Sequence, residues 1–278
     1  MTDNLLQKIN KLAHSLIADP LTLKKAIILC CYVLGLLFAG EMILLLFNLH
    51  FTLLWSILFL VAVLIIARGI GKNELSSIFA WRNVPLPVFA AIMVMFFGAH
   101  IIRSELSNIL QNLLPVPDGF FDGAFYRQEN IFLIIVTGAL MPGFTEEVFF
   151  RGIIARKFYR TYSPLKAILL SAALFGIMHL NPWQAVNSFL GGIFYGWIYW
   201  RYRSIWLCMF IHAYNNVLAF FMLYPFERIG ISGSHELWRH PLWFVILGFI
   251  LFGMGLFMVI TLSRKDSNRR IGKTAKKG

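Results

Sequence analysis

Between Ile131 and Ile154 the chain reads IFLIIVTGALMPGFTEEVFFRGII. That stretch is long enough to cross a bilayer as a helix, for which about 20 apolar residues suffice. It nevertheless carries Glu146, Glu147 and Arg151, in the run Phe144-Thr-Glu-Glu-Val-Phe-Phe-Arg151. A charged side chain at the bilayer centre costs about 2.5–3.5 kcal/mol on insertion scales. Such groups turn away from lipid, toward a bundle interior or a wet cavity, and a functional site is the default expectation. The fold implied is a helical bundle in the membrane, built around these charges.

The rest of the chain agrees. Of its 278 residues, 59% are hydrophobic and 14% charged, far from a soluble globular mix. Further apolar segments lie at 26–49, 51–67, 86–102, 167–180, 185–200, 205–223 and 242–262. Those at 167–180 and 185–200 are short for a full crossing, so they need little tilt or shielding by neighbours. No barrel-type alternation is present, so helices must satisfy the backbone in lipid. The predicted class is all-α: a polytopic integral membrane bundle of about eight transmembrane helices.

A net charge of +12 raises the question of nucleic acid. The basic residues lie between and after the apolar segments, with no stripe beside a recognition element, so nucleic-acid binding is excluded. They report topology instead. With a cytoplasmic N-terminus, 21 of the 25 Lys and Arg fall inside, and only Arg103, Arg127, Arg228 and Arg239 outside. The asymmetry places both termini in the cytoplasm and suits a multi-pass protein of a bacterial inner (plasma) membrane, as it would one of an endoplasmic membrane. Residues 1–25, with Leu5, Leu6, Ile9, Leu12 and Leu16 at helical spacing, are expected to form an amphipathic helix on the cytoplasmic leaflet, with no cleavable signal peptide. Residues 26–262 form the transmembrane bundle, its motif-bearing core at 130–220. The long connection 103–130 reads as an external loop, and 263–278 as a basic, disordered cytoplasmic tail at the membrane surface.

Three polar groups interrupt the spans. The first is Glu146-Glu147-xxx-Arg151, in which Glu147 and Arg151 share a face at i, i+4 and can pair. Glu146 is rotated roughly 100° away and stays available for chemistry. The second is Phe175-xxx-His179; a lone histidine at the end of an apolar run is more often structural than catalytic. The third, His212-xxx-Asn216, again shares a face and alone would pass for a helix–helix contact. Asn215 points elsewhere and is the weaker candidate. At 1.5 Å per residue from the cytoplasmic flanks, Glu146, His179 and His212 lie about 15, 20 and 14 Å deep. All fall near the middle of a hydrocarbon layer about 30 Å thick.

A Glu, His, His, Asn set fits two chemistries. Glu146 with His179 could take a proton from water attacking a peptide carbonyl, with His212 and Asn216 stabilising the oxyanion. Alternatively Glu146, His179 and His212 could hold a divalent metal such as zinc that activates the water. The zincin motif HExxH is absent, so that site would be assembled across helices. Rival classes are a proton-coupled transporter, which would show internal repeats, and a non-catalytic scaffold.

Other features read more plainly. Cys30, Cys31 and Cys208 read as small buried hydrophobes. Gly192-xxx-Gly196 suits close helix packing. Glu41 is a buried acid without an evident partner, His235 and His240 read as solvated loop residues, and Trp183, Trp200, Trp206, Trp238 and Trp243 sit near segment ends as interfacial anchors.

Taken in order, Glu-Glu-xxx-Arg, Phe-xxx-His and His-xxx-Asn on successive membrane helices resemble the CPBP family. Its members include the type II CAAX prenyl endopeptidases and bacteriocin-processing or immunity proteins labelled Abi. Glu146, Glu147, Arg151, Phe175, His179, His212 and Asn216 match its motifs residue by residue, over about 130–220. The resemblance implies an intramembrane endopeptidase, as a glutamate protease or metalloprotease, with a site reached from the cytoplasmic side. Glu146 would activate water, assisted by His179, and His212 and Asn216 would form the oxyanion site. It also implies a peptide or protein substrate at the membrane, in some members lipidated, or else an immunity role without catalysis.

Overall fold

The computed structural model describes residues 15, 17, 20–46, 51–67, 70, 72–115, 131–228 and 240–274. Most of the expected N-terminal amphipathic helix lies outside these residues, as do 116–130, His235 and Trp238, and the Glu41 side chain is likewise undescribed. Among the described residues there is no strand. The helices are α1 (Leu23–Leu46), α2 (Phe51–Ala67), the short α3 (Lys72–Ile78), α4 (Leu86–Leu113), α5 (Ile131–Thr161), α6 (Pro164–Ile177), α7 (Pro182–Tyr202), α8 (Ile205–Arg228) and α9 (Leu242–Thr274). Four of them hold stretches long and apolar enough to cross a membrane: Leu23–Gly40, Leu86–Leu113, Ile131–Thr161 and Leu242–Ser263. Shorter apolar helices run over Ile57–Ile66, Pro164–Ile177 and Ile205–Ala219. The protein is an all-α, integral, multi-pass membrane protein.

Two boundaries differ from the apolar segments. α4 continues past Arg103 to Leu113, through residues read as the start of an external loop. Arg103 ends the uniformly apolar run, but Leu106, Ile109, Leu110 and Leu113 keep helical spacing beyond it. At the other end of the chain, α9 continues as backbone helix into the basic tail, to Thr274.

The described helices form two compact units. One spans 1–81 and 116–228, with α1–α3 and α5–α8; the other spans 82–115 and 229–278, with α4 and α9.

The first unit carries the charged residues. Its central helix, α5, is not uniform. Two π-helical stretches, Val136–Leu140 and Val148–Ala155, flank the α-helical Met141–Glu147. Departures of this kind are frequent at functional sites. Pro142 offers a local cause. It has no N–H for the Gly138 carbonyl four residues back, and that carbonyl instead accepts from the Asn216 side chain on α8, at 3.2 Å. α8 can approach because residue 143 is glycine; a Cβ there would lie 3.0 Å from the Ala213 nitrogen. α6 and α7 are equally close. A Cβ on Gly192 would meet the Cα of Ala172 at 3.0 Å, and one on Gly196 would touch Ile168. Asn181 caps α7, its Oδ1 accepting from the Gln184 N–H at 2.8 Å, with Pro182 in the first turn. α3 braces the far end of α5 through Glu74, whose Oε1 lies 3.3 Å from the buried Lys157 and 3.5 Å from Arg160.

The second unit is a pair of helices packed through glycines. A Cβ on Gly98 would overlap the Phe252 backbone, and one on Gly255 the Met95 backbone. His240, read above as solvated, is half-buried at the start of this pair. Its Nε2 lies 2.7 Å from Ser104 Oγ, and its backbone N–H donates to Glu105 at 2.8 Å. The loop reading failed because α4 extends far enough to offer it partners. Cys31 is exposed while Cys30 and Cys208 are buried, since neighbours on a helix face different ways.

Candidate active site

Glu147 and Arg151 are both fully buried. Arg151 Nη1 donates to Glu147 Oε1 at 2.9 Å, and its Nη2 donates to the Gly192 carbonyl at 3.2 Å. The guanidinium lies over Phe175, 4.5 Å from the ring centroid, and over Tyr195 at 5.0 Å. Cation–π contact of this kind is worth about 2 kcal/mol when dry. The arginine is thus neutralised by its own helix, tied to α7 by a backbone carbonyl, and sandwiched between rings of α6 and α7.

Glu147 holds a second group. His212 Nδ1 lies 2.9 Å from the same Oε1. A carboxylate accepts, so Nδ1 carries the proton and Nε2 points away. The imidazole is buried and stacked on Tyr195, with centroids 4.9 Å apart and an interplanar angle of 17°. Its Nε2 faces Glu146, 3.8 Å from Oε2. That separation is too long for a direct hydrogen bond.

Glu146 is the accessible carboxylate, its side chain 22% exposed where that of Glu147 is sealed. It opens into a cavity of about 240 Å³, together with His179 and Gln184 and the apolar Leu34, Phe59 and Met178. His179 follows the end of α6 in a tight turn. Its Nδ1 lies 2.9 Å from the Phe175 carbonyl oxygen, and its Nε2 lies 3.0 Å from Ser188 Oγ. Leu180 adopts φ 57°, a strained left-handed conformation for a leucine. Such strain persists where surroundings over-determine it, and here Asn181 Nδ2 also clamps the His179 carbonyl at 3.1 Å.

The structure therefore brings Glu146 and His179 to one cavity and Glu146 close to His212. Asn216 is set differently: its Nδ2 holds the Gly138 carbonyl, and its Oδ1 accepts from Asn215 at 3.1 Å. Two residues outside the motifs belong to the site, Ser188 and Tyr195. They are seven apart on α7, on one face with Gly192, and that spacing is the signal that could have found them. As for a metal, no three His, Cys, Asp or Glu side chains gather as a ligand set among the described residues. The Nε2 of His179 is taken by Ser188, so Glu146, His179 and His212 as placed do not fit a cation.

Fold and site together define a polytopic membrane protein with a buried Glu–Arg–His network beside a cavity lined by Glu146 and His179. Residues 128–218, which hold every motif residue named above, match the model of the family described as type II CAAX prenyl endopeptidase Rce1-like. The chain is also similar to "Putative membrane peptidase YdiL" of Bacillus subtilis (strain 168), with 25% identity over 193 residues, covering 63% of this chain and 73% of that one. No solved structure matches. The motif-bearing helices are thus similar to those of CAAX-protease-like membrane peptidases.

Proposed function

We propose that this protein is an intramembrane endopeptidase in which Glu146 is the general base. The observation that carries this is the unlike setting of two adjacent carboxylates. Glu147 is sealed and committed to Arg151 and His212. Glu146 faces the cavity with His179. A water held against Glu146, in the cavity that His179 also lines, gives its proton to that carboxylate as its oxygen attacks a peptide carbonyl, and Glu146 passes the proton to the departing amide nitrogen as the C–N bond breaks. With a proton on Nε2, His212 is placed to donate to the oxyanion, because Glu147 already fixes its other nitrogen. Asn216 has one amide proton left beyond its bond to Gly138, and contributes it to the same oxygen. The substrate is a peptide or protein presented at the cytoplasmic side of the bilayer, lipidated or not. The loop charges and the Bacillus relative support a bacterial inner membrane as its place.

The test uses protein reconstituted in liposomes with a library of peptides bearing apolar C-terminal ends, and cleavage read by mass spectrometry. Glu146→Gln should lower the rate by about 10²–10⁴-fold, the usual contribution of a general base, while its elution profile and helicity stay as in the wild type. Cleavage by that variant at the wild-type rate would remove Glu146 from the role.

A further inference from the structure

Both ring nitrogens of His179 are engaged, and by different helices. Nδ1 meets the Phe175 carbonyl one turn back on α6. A carbonyl only accepts, so Nδ1 carries the proton. Nε2 meets Ser188 Oγ on α7 at 3.0 Å. In the neutral ring Nε2 is an acceptor, so the Ser188 hydroxyl donates. Ser188 lies outside the three motifs, yet it is half-buried beside the one histidine that shares the cavity with Glu146.

A single anchor leaves an imidazole free to swing about that contact, and a group taking part in proton transfer must be oriented by a second. We propose that Ser188 is a positioning residue for His179. Its hydrogen bond sets the ring against the cavity and leaves Nε2 as the only nitrogen able to take a proton. A hydroxyl both donates and accepts, so the same contact survives a proton arriving on Nε2, with Ser188 turning from donor to acceptor. Asn181 and the α7 cap hold the turn from the other side, which places Ser188 at a fixed distance from the ring. This rests on the endopeptidase reading for its consequence in catalysis, but not for the contact itself.

The two are tested separately on the full chain in detergent micelles. Histidine is labelled with ¹⁵N, and among the seven histidines the His179 signals are those lost in His179→Gln. The wild type should show one protonated Nδ1 and one hydrogen-bonded acceptor Nε2. Ser188→Ala should move the Nε2 signal and mix the tautomers, and Ser188→Thr should restore both. A Ser188→Ala spectrum identical to the wild type overturns the proposal. On the peptide that the wild type cleaves best, Ser188→Ala should lower kcat about threefold to tenfold, the worth of one hydrogen bond, with KM within about twofold; Ser188→Thr recovers most of it. A change confined to KM, or covalent labelling of Ser188 by a fluorophosphonate, overturns it too, the latter because Ser188 would then be a nucleophile. If the wild type cleaves no peptide, the endopeptidase reading fails, and the nitrogen spectrum still decides the contact.

Discussion

Replacing Glu147 with glutamine should unseat the buried network at a cost that the geometry sets. The amide keeps an Oε1 that can accept from Arg151 and His212, both now at 2.9 Å. It loses the charge. Its new NH₂ would stand where Oε2 now has no hydrogen-bond partner, so two donors would be buried unpaired. Arg151 would keep that neutral oxygen, the Gly192 carbonyl and the faces of Phe175 and Tyr195, but no counter-charge. Removing one partner of a buried pair costs about 3–5 kcal/mol, and the retained hydrogen bonds put Glu147→Gln near the lower end. Arg151→Met leaves the carboxylate with His212 still bound, and should cost about 2–3 kcal/mol. Neither change leaves a bare charge when the other is present. The double variant should therefore lose less than the sum, by about 2 kcal/mol within the 0.5–3 range of contacting pairs. Unfolding in bicelles, measured for the wild type, both single variants and the double, closes the cycle. Additivity within about 0.5 kcal/mol would refute the idea that charge, not shape, is what Glu147 supplies to Arg151.

Two further outcomes concern the helix pair of α4 and α9. Gly255→Ala should destabilise it by about 1–3 kcal/mol through overpacking against Met95, whereas Gly253→Ala, with nothing within 4 Å of its new Cβ, should be neutral or slightly stabilising by thermal unfolding; equal effects would contradict the close approach. His240 is held below its usual value of 6.5 by burial, with Glu105 pulling the other way. A lowered folded value means that the neutral ring's contribution is complete above about 6.5 and is lost as pH falls through that lower value. Hydrogen exchange at the start of α9, corrected for its intrinsic rate, should rise on acidification in the wild type and stay flat in His240→Gln; a parallel rise in both would dismiss the histidine.

What the sequence made legible follows from what water and lipid penalise. The spans could be found because a crossing demands an apolar run, and the site because Glu146, Glu147 and Arg151 break one. The end of α4 was missed for the same reason: Arg103 closes an apolar run without closing a helix. The π-helical stretches of α5 leave no period in the side chains that differs enough from 3.6 to be read, although Pro142 marks the carbonyl that must find another donor. Ser188 and Tyr195 carry no charge and lie on a helix rich in small and aromatic residues. Their spacing puts them on one face of α7 with Gly192, but that this face lies against α6 is a contact between helices that spacing within one helix does not report.

The unlike settings of Glu146 and Glu147 give a physical reason for two adjacent glutamates. A carboxylate that neutralises a buried arginine must be dry, since exposure to water would weaken the pairing that keeps Arg151 in the core. A carboxylate that takes a proton from water must be wet. One side chain cannot satisfy both demands, and consecutive positions on a helix, about 100° apart, are the shortest way to put two carboxylates in different media at the same depth. Arg151 then extends the dry half to α7 by way of Gly192, and Glu147 extends it to α8 by way of His212. The wet half borrows that rigidity. His212 Nε2 faces Glu146 only because Glu147 holds the other nitrogen, so the accessible carboxylate inherits its geometry from the inaccessible one. Moving the acid by one residue in either direction would break one of the two halves.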